Sequence, residues 1–99
     1  MNININAVGF KADVKLEDFI RDKSGKLSLH FEGVIGCEVT LRLDAAQKVT
    51  NKIVEVRVLI PGKDLFSKKQ ANSFEEATDS AIDALRKQLQ KHKEKVRGN

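Results

Sequence analysis

The sequence is poor in the residues that most often carry out chemistry in proteins. It contains one cysteine, Cys37, and two histidines, His30 and His92. A single cysteine excludes an internal disulfide framework and is typical of a reducing compartment. These residues make no convincing zinc site, Cys37 has no motif spacing that suits a nucleophile, and no glycine-rich loop is present to cradle a phosphate. We therefore predict that the protein is not an enzyme and needs no metal or cofactor.

Long apolar stretches are absent as well. No run approaches the roughly 20 residues of a membrane span, and the alternating start MNININAV differs from a signal or transit peptide. With 40% hydrophobic residues and no low-complexity tract, the chain should fold as one domain over residues 1–99 with a modest core. We expect a small, soluble protein of the cytoplasm, with no membrane partner.

Positive charge is abundant, and it is concentrated near the end of the chain. The formal net charge is +4, and the last fourteen residues contain six Lys or Arg but one Glu. The net value alone only permits a nucleic-acid partner, whereas its concentration in one stretch indicates a surface for a polyanion. The alternative is a solvated helix end, in which the cations serve solubility and complement the helix dipole.

That basic stretch belongs to a predicted amphipathic helix from Ser73 to Arg97. Ser73 and Glu76 form a capping-box pattern at its start. One apolar stripe recurs at helical spacing and predicts a buried face: Phe74, Thr78, Ala81, Ile82, Leu85, Leu89, His92 and Val96. At about 100° per residue, one flank of the stripe contains Lys87, Lys91 and Lys95, and the other contains Arg86, Lys93 and Arg97. His92 lies on the stripe and is predicted to be a packed residue.

The rest of the chain alternates between strand and helix signals. Strands are predicted at residues 2–8, 37–43, 53–60 and 65–72, and a first helix begins at its N-cap Asp13 and runs to about His30. Pro61-Gly62 is a turn signal, and the connection from Asp44 to Lys52 is long enough to be mobile. The order β-α-β-β-β-α predicts an α+β fold, a four-stranded sheet with two helices packed on one face. Cys37 alternates inward and is predicted to be a core residue.

Several short motifs, in this order, resemble one known family. The first helix ends in KLSLHF at residues 26–31, and the strand turn reads IPGKDLF at residues 60–66. The second helix contains AxD at residues 77–79, followed by LRKQLQKHKEK at residues 85–95. Together with the MNI start, they resemble the ribosome hibernation promoting factor family, which includes the ribosome-associated translation inhibitors. The resemblance covers nearly the whole chain.

The resemblance implies a fold similar to the double-stranded-RNA-binding domain and a role without catalysis. Family members occupy the small-subunit channel for mRNA and tRNA, where they silence ribosomes during starvation or stationary phase. We therefore expect the small ribosomal subunit and its rRNA as the partner, and we leave open a ribosome modulation partner that assists. The chain ends at Asn99 and so resembles the short form of the family, which we expect to be a monomer when free.

The resemblance also implies where RNA would be bound. The basic family positions fall at Lys23 and Lys26 on the first helix and at Lys87 and Lys91 on the second. For His30, RNA contact and partial burial at the helix end both remain open. With the neighbouring bases of the second helix, the predicted RNA-binding residues are Lys23, Lys26, His30, Arg86, Lys87, Lys91, Lys93 and Lys95.

A second hypothesis is a protein-interaction domain that regulates a transcription factor or another protein. Its working surface would be the sheet or an edge strand. The predicted outer face of the sheet carries Glu38, Thr40, Arg42, Glu55 and Arg57. This face is mixed in charge and poor in aromatic residues, so it lacks the platform on which a sheet stacks single-stranded bases.

Overall fold

The elements of the fold follow the predicted order. A computed structural model of the protein describes residues 1–29 and 31–97, apart from the side chains of residues 96 and 97. The elements are β1 (Asn2–Ala7), α1 (Val14–Gly25), a short 3₁₀ turn (Lys26–Leu29), β2 (Gly36–Leu43), β3 (Lys52–Ile60), β4 (Lys63–Ala71) and α2 (Phe74–Arg97). The predicted α+β fold is confirmed. In the described ranges, no helix has both the length and the apolar character that crossing a membrane requires.

The four strands form one sheet in the order β1-β2-β3-β4. β1 runs parallel to β2, whereas β2 with β3 and β3 with β4 are antiparallel. Because side chains alternate between the two faces of a sheet, each strand contributes one row to each face. The row beneath the helices is almost fully buried on the two central strands and consists of Cys37, Val39, Leu41, Val54, Val56 and Val58.

Both helices begin at the caps that the sequence predicts. The carboxylate of Asp13 accepts the backbone N–H of Leu16 at 2.8 Å, and the hydroxyl of Ser73 accepts the backbone N–H of Glu76 at 3.1 Å. The helices then cover the inner row of the sheet with fully buried side chains: Ile20, Leu27, Ala77, Ala81, Leu85 and Leu89. Burying each leucine or isoleucine stabilises the fold by roughly 2 kcal/mol.

The first helix ends earlier than predicted. Helix α1 stops at Gly25, and the chain continues as the 3₁₀ turn to Leu29, so the predicted extent to about His30 was too long. Glycine is less favourable than alanine inside a helix by about 1 kcal/mol. The hydroxyl of Ser28 donates to the carbonyl of Gly25 at 2.8 Å, which provides a partner at the point where the helical ladder ends. Leu27 stays buried, so the turn still contributes to the core.

The connection between β2 and β3 is tied to a neighbouring strand. The side-chain amide of Gln70 on β4 donates to the carboxylate of Asp44 at 2.9 Å and to the carbonyl of Thr50 at 2.7 Å. The backbone N–H of Ala46 also donates to Asp44. These hydrogen bonds, that from Gln70 first, lower the pKa of Asp44. The connection, predicted from its length to be mobile, is held at both of its ends by Gln70, a residue distant in sequence.

Charged side chains on the open face of the sheet form ion pairs with one another. Arg42 lies 3.1 Å from Glu55, and Arg57 lies 3.3 Å from Asp64. Phe66 also lies on this face, 47% exposed, with the guanidinium of Arg57 at 5.8 Å from its ring centre. Phe66 was not among the residues predicted for this face. A single aromatic ring still makes no platform for successive bases.

We predict that the free protein is a monomer. The exposed edge strand β4 carries Lys68 and Lys69, and like charges on an edge oppose pairing with a second copy. Light scattering at micromolar concentration should give a mass near 11.1 kDa. A stable species of twice that mass would contradict the prediction.

We also predict that removal of one buried hydroxyl stabilises the fold. Thr78 is fully buried, and its hydroxyl oxygen has no hydrogen-bond partner among the described residues. Leaving such a group unsatisfied costs about 1–3 kcal/mol. Thr78→Val, which replaces the hydroxyl by a methyl group, should raise the free energy of unfolding by about 1 kcal/mol, measured by urea denaturation.

Thr78→Ser is the matched control, because it keeps the hydroxyl and removes the methyl group. This variant should lose roughly 1 kcal/mol of stability. If Thr78→Val were also destabilised, the hydroxyl would have a partner, such as a buried water molecule, and the prediction would be wrong.

Candidate nucleic-acid interface

One basic cluster lies in the groove between the two helices. Lys23 at the end of α1, Lys26 on the 3₁₀ turn and Arg86 on α2 line a hollow of about 200 Å³. Leu27 and Ile82 also line this hollow. The packing of α1 and the 3₁₀ turn against α2 therefore brings together cations that are about 60 residues apart in the chain.

A carboxylate accompanies each cation of this helix groove. The pairs are Lys23 with Asp79 at 3.5 Å, Lys26 with Asp22 at 3.9 Å, and Arg86 with Asp83 at 2.6 Å. Asp83 also pairs with Lys87 at 3.2 Å, and its hydrogen bonds to Arg86 and Lys87 lower the pKa of Asp83. The positive charges of the helix groove are thus balanced by neighbouring carboxylates. An anion that binds there has to share these cations with the carboxylates or displace the carboxylates.

A second basic cluster lies on the opposite flank of α2, against β4. Lys63, Leu65, Gln88, Lys91, His92 and Lys95 line a groove of about 300 Å³, which we call the strand groove. The side-chain amide of Gln88 donates to the carbonyl of Phe66 at 3.0 Å and fastens the helix to the strand. Of the residues that the structure describes, no acid lines this groove. Its charge therefore differs from that of the helix groove.

Two aromatic side chains are in contact near the end of α2. The rings of Phe31 and His92 meet edge to face with their centres 5.5 Å apart. His92 is half-buried, which agrees with its predicted role as a packing residue. Lys93 lies nearby and lines a hollow of about 390 Å³ together with Leu29, Phe31 and Glu32.

The structure thus divides the predicted RNA-binding residues among several places. Lys23, Lys26 and Arg86 line the helix groove, Lys91 and Lys95 line the strand groove, Lys87 lies on the exposed ridge between the grooves, and Lys93 lies beside Phe31. His30 falls outside the described residues. Lys63, the first residue of β4, also lines the strand groove and was not among the predicted residues. The turn signal at Pro61-Gly62 locates Lys63 at a strand end but does not reveal that α2 lies beside it.

Among the described residues, the side chains suited to catalysis or to binding metal form no comparable cluster. Within residues 1–29 and 31–97, no set of three or more His, Cys, Asp or Glu side chains is arranged to hold a metal ion. Cys37 is buried, and burial raises the pKa of its thiol to about 11. The thiol is therefore protonated at neutral pH and is a weak nucleophile.

Comparison with protein families and sequences gives a consistent result. A family model described as Sigma 54 modulation protein / S30EA ribosomal protein matches residues 3–97. The ribosome hibernation promoting factor of Pseudomonas putida is 27% identical over 95 residues, which cover 96% of this chain and 89% of the relative. That of Acinetobacter guillouiae is 30% identical over 99 residues, with 94% and 88% covered. The ribosome hibernation promotion factor of Bacillus subtilis is 31% identical over 98 residues, and the match spans 97% of this chain but 50% of the relative.

Solved structures share the fold. A ribosomal subunit interface protein from Coxiella burnetii superimposes with a TM-score of 0.83 at 18% identity, covering 94% of this chain and 98% of that one. The N-terminal domain of Protein Y from Thermus thermophilus gives a TM-score of 0.80 at 22% identity, covering 93% and 99%. The family resemblance read from the sequence motifs is confirmed. With the family model matching residues 3–97, the chain belongs to the Sigma 54 modulation protein / S30EA ribosomal protein family.

Proposed function

We propose that this protein binds the ribosome and takes part in ribosome hibernation in the cytoplasm, with residues 1–99 acting as one ribosome-binding domain. The observation that carries the proposal is the family match over residues 3–97. It is supported by relatives named ribosome hibernation promoting factor that align along nearly their whole length. Such a role requires no bond to be made or broken, only a surface that recognises the ribosome.

The ribosomal partner proposed here is the small subunit, bound through the phosphate backbone of its rRNA. Support comes from the two basic grooves on either flank of α2, because cations that neutralise phosphates release condensed counterions and so gain affinity. The self-paired charges of the open sheet face and its single exposed ring, Phe66, do not favour base stacking. Recognition would therefore depend on the shape and backbone of the RNA rather than on its base sequence.

The acids of the helix groove do not prevent such binding. Ion pairs between exposed side chains contribute about 0–1 kcal/mol each, and the side chains of Arg86 and Asp83 are 43% and 48% exposed. An RNA backbone presents many phosphates to several cations at once, and the release of its condensed counterions adds to its affinity. A phosphate of such a backbone is therefore able to compete with Asp83 for Arg86.

Inhibition would follow from occupied volume. The molecule measures 47 × 23 × 19 Å, and a folded body of this size would exclude mRNA and tRNA from the channel of the small subunit that they share. The test is competition on purified, mRNA-loaded small subunits. The protein should prevent tRNA from binding, and it should inhibit translation in an extract.

Arg42→Gln is a suitable control for that experiment, because Arg42 lies on the open sheet face, opposite the helices, and is paired with Glu55. This variant should compete as well as the unchanged protein. If the protein and tRNA occupied the same small subunit together, the channel proposal would fail, while binding to the ribosome would stand.

A second candidate function is the regulation of a transcription factor by direct contact. The family description, which includes sigma 54 modulation, favours this candidate, and Phe66 on the open face is an exposed apolar contact. Under this hypothesis, Phe66→Ser would abolish binding to the factor, and the protein would sediment without ribosomes.

A further inference from the structure

We propose that the strand groove is a second site for RNA phosphate, in which Lys63, from outside the helices, contacts the RNA together with Lys91. This inference deepens the proposed function and rests on it. Neither the motifs of the two helices nor their charge pattern points to Lys63. Its role follows from the position of the β3–β4 turn beside the second half of α2.

Two of the lysines that line the strand groove, Lys63 and Lys91, have no acidic partner among the described residues. The lysines that line this groove come from two elements, Lys63 from β4 and Lys91 and Lys95 from α2. Like charges gathered in one groove repel one another, and an anion placed between them relieves that repulsion. The groove is therefore complementary to a polyanion.

The cations of the helix groove differ in this respect. There, Lys23 and Arg86 are already engaged by Asp79 and Asp83, so an incoming phosphate has to replace an existing partner. In the strand groove, Lys63 and Lys91 need no such exchange. Per cation, the strand groove should therefore contribute more to the binding of a phosphate backbone.

The backbone of Lys63 is held in place by the β3–β4 hairpin. It is paired with Ile60 across the hairpin, and the two residues between them are Pro61, whose ring fixes φ, and Gly62 at φ +75°. Gln88 holds the opposite wall of the groove to the backbone of β4. Because the backbone of both walls is ordered before binding, only side-chain freedom is lost when an anion enters.

The residues beside the strand groove indicate which kind of ligand would bind in it. Lys87 lies on the ridge of α2 between the strand groove and the helix groove, its side chain 67% exposed. Basic side chains therefore continue across α2 from one groove to the other, as a ligand with many repeated negative charges requires. An RNA backbone has this property, and an acidic segment of a ribosomal protein is the alternative that the experiment has to distinguish.

The experiment compares Lys63→Gln with Lys48→Gln. Lys48 is exposed and lies in the connection at the other end of β3, about 30 Å from Lys63 along a strand of that length. Each variant removes one positive charge, so the two have the same net charge. Affinity for purified small subunits is measured over a range of salt concentrations, and thermal unfolding confirms that both variants fold.

Lys63→Gln should weaken binding about tenfold, the effect of losing one charge-assisted contact. It should also reduce the slope of log affinity against log salt by about 0.7 to 0.9, the counterion release of one phosphate. Lys48→Gln should change affinity less than about twofold, because it alters only the general field.

Each outcome separates the inference from the function on which it rests. If the unchanged protein binds small subunits but both variants behave alike, the inference is overturned and the proposed function stands. A loss of affinity for Lys63→Gln with an unchanged slope would assign the groove to an acidic protein segment, which also overturns it. If the unchanged protein does not bind small subunits at low salt, the proposed function itself fails.

Discussion

Replacement of Lys87 and Lys91 by glutamate is expected to weaken binding to small ribosomal subunits by roughly 100-fold or more and to release translation in an extract. Lys87 is 67% exposed on the ridge of α2, and Lys91 lines the strand groove. Each would lose a charge-assisted hydrogen bond of about 1.5–3 kcal/mol, and the new carboxylates would repel the RNA. A filter-binding or sedimentation titration measures the loss.

The matched control is Arg86→Glu with Lys93→Glu, which changes the net charge by the same amount. Its loss should be smaller, because Lys93 lies outside both grooves, beside Phe31, and Arg86 lies closer to the shared partner Asp83 (2.6 Å) than Lys87 does (3.2 Å). Surface changes of this kind alter stability by about 0.5 kcal/mol or less per site, which thermal unfolding can verify. Equal losses in the two variants would mean that the protein acts as a non-specific polycation.

The affinity for the small subunit is expected to fall about a thousandfold between roughly 50 and 200 mM monovalent salt, if about six phosphates are neutralised. The cations of the helix groove, the ridge and the strand groove supply that number of contacts. The physical reason is counterion release, since log affinity falls by about 0.7 to 0.9 per phosphate for each tenfold rise in salt. The measurement is the same titration repeated across this range. An affinity that changed only a few-fold would rule out binding through phosphates.

Local signals in the sequence were enough to predict most of the fold. The alternation Val54, Val56, Val58 predicts β3 because side chains alternate strictly along a strand, and these residues are fully buried. The caps at Asp13 and Ser73 depend on residues three positions apart, so a short stretch contains all the information. The order of the elements then restricts the sheet to few arrangements.

Contacts between distant residues could not be predicted in this way. Gln70 fastens the β2–β3 connection through Asp44, 26 positions earlier in the chain. The end of α1 at Gly25 depends on a balance between a weak helix signal and the burial of Leu27. Both outcomes are decided by tertiary packing, which overrides local preference.

In the candidate site, too, some features could be predicted from local sequence and others depend on tertiary packing. Periodicity assigned the bases of α2 to two flanks, and the structure confirms that Arg86 and Lys91 line different grooves. The pair of Lys23 with Asp79 depends on how α1 packs against α2, whereas the acidic partners of Lys26, Arg86 and Lys87 lie three or four positions away in the sequence. The position of Lys63 in the strand groove depends on where the β3–β4 turn lies relative to the end of α2, and helical periodicity has no bearing on that position.

Sedimentation with separated ribosomal subunits tests the central claim most directly. The purified protein is mixed at low salt with small subunits or with large subunits, and each mixture is centrifuged through a sucrose gradient. The account predicts that the protein travels with the small subunit in a near-stoichiometric amount, does not travel with the isolated large subunit, and leaves the small subunit when the salt is raised. Protein that stays at the top of both gradients, or that travels equally with both subunits, would contradict it.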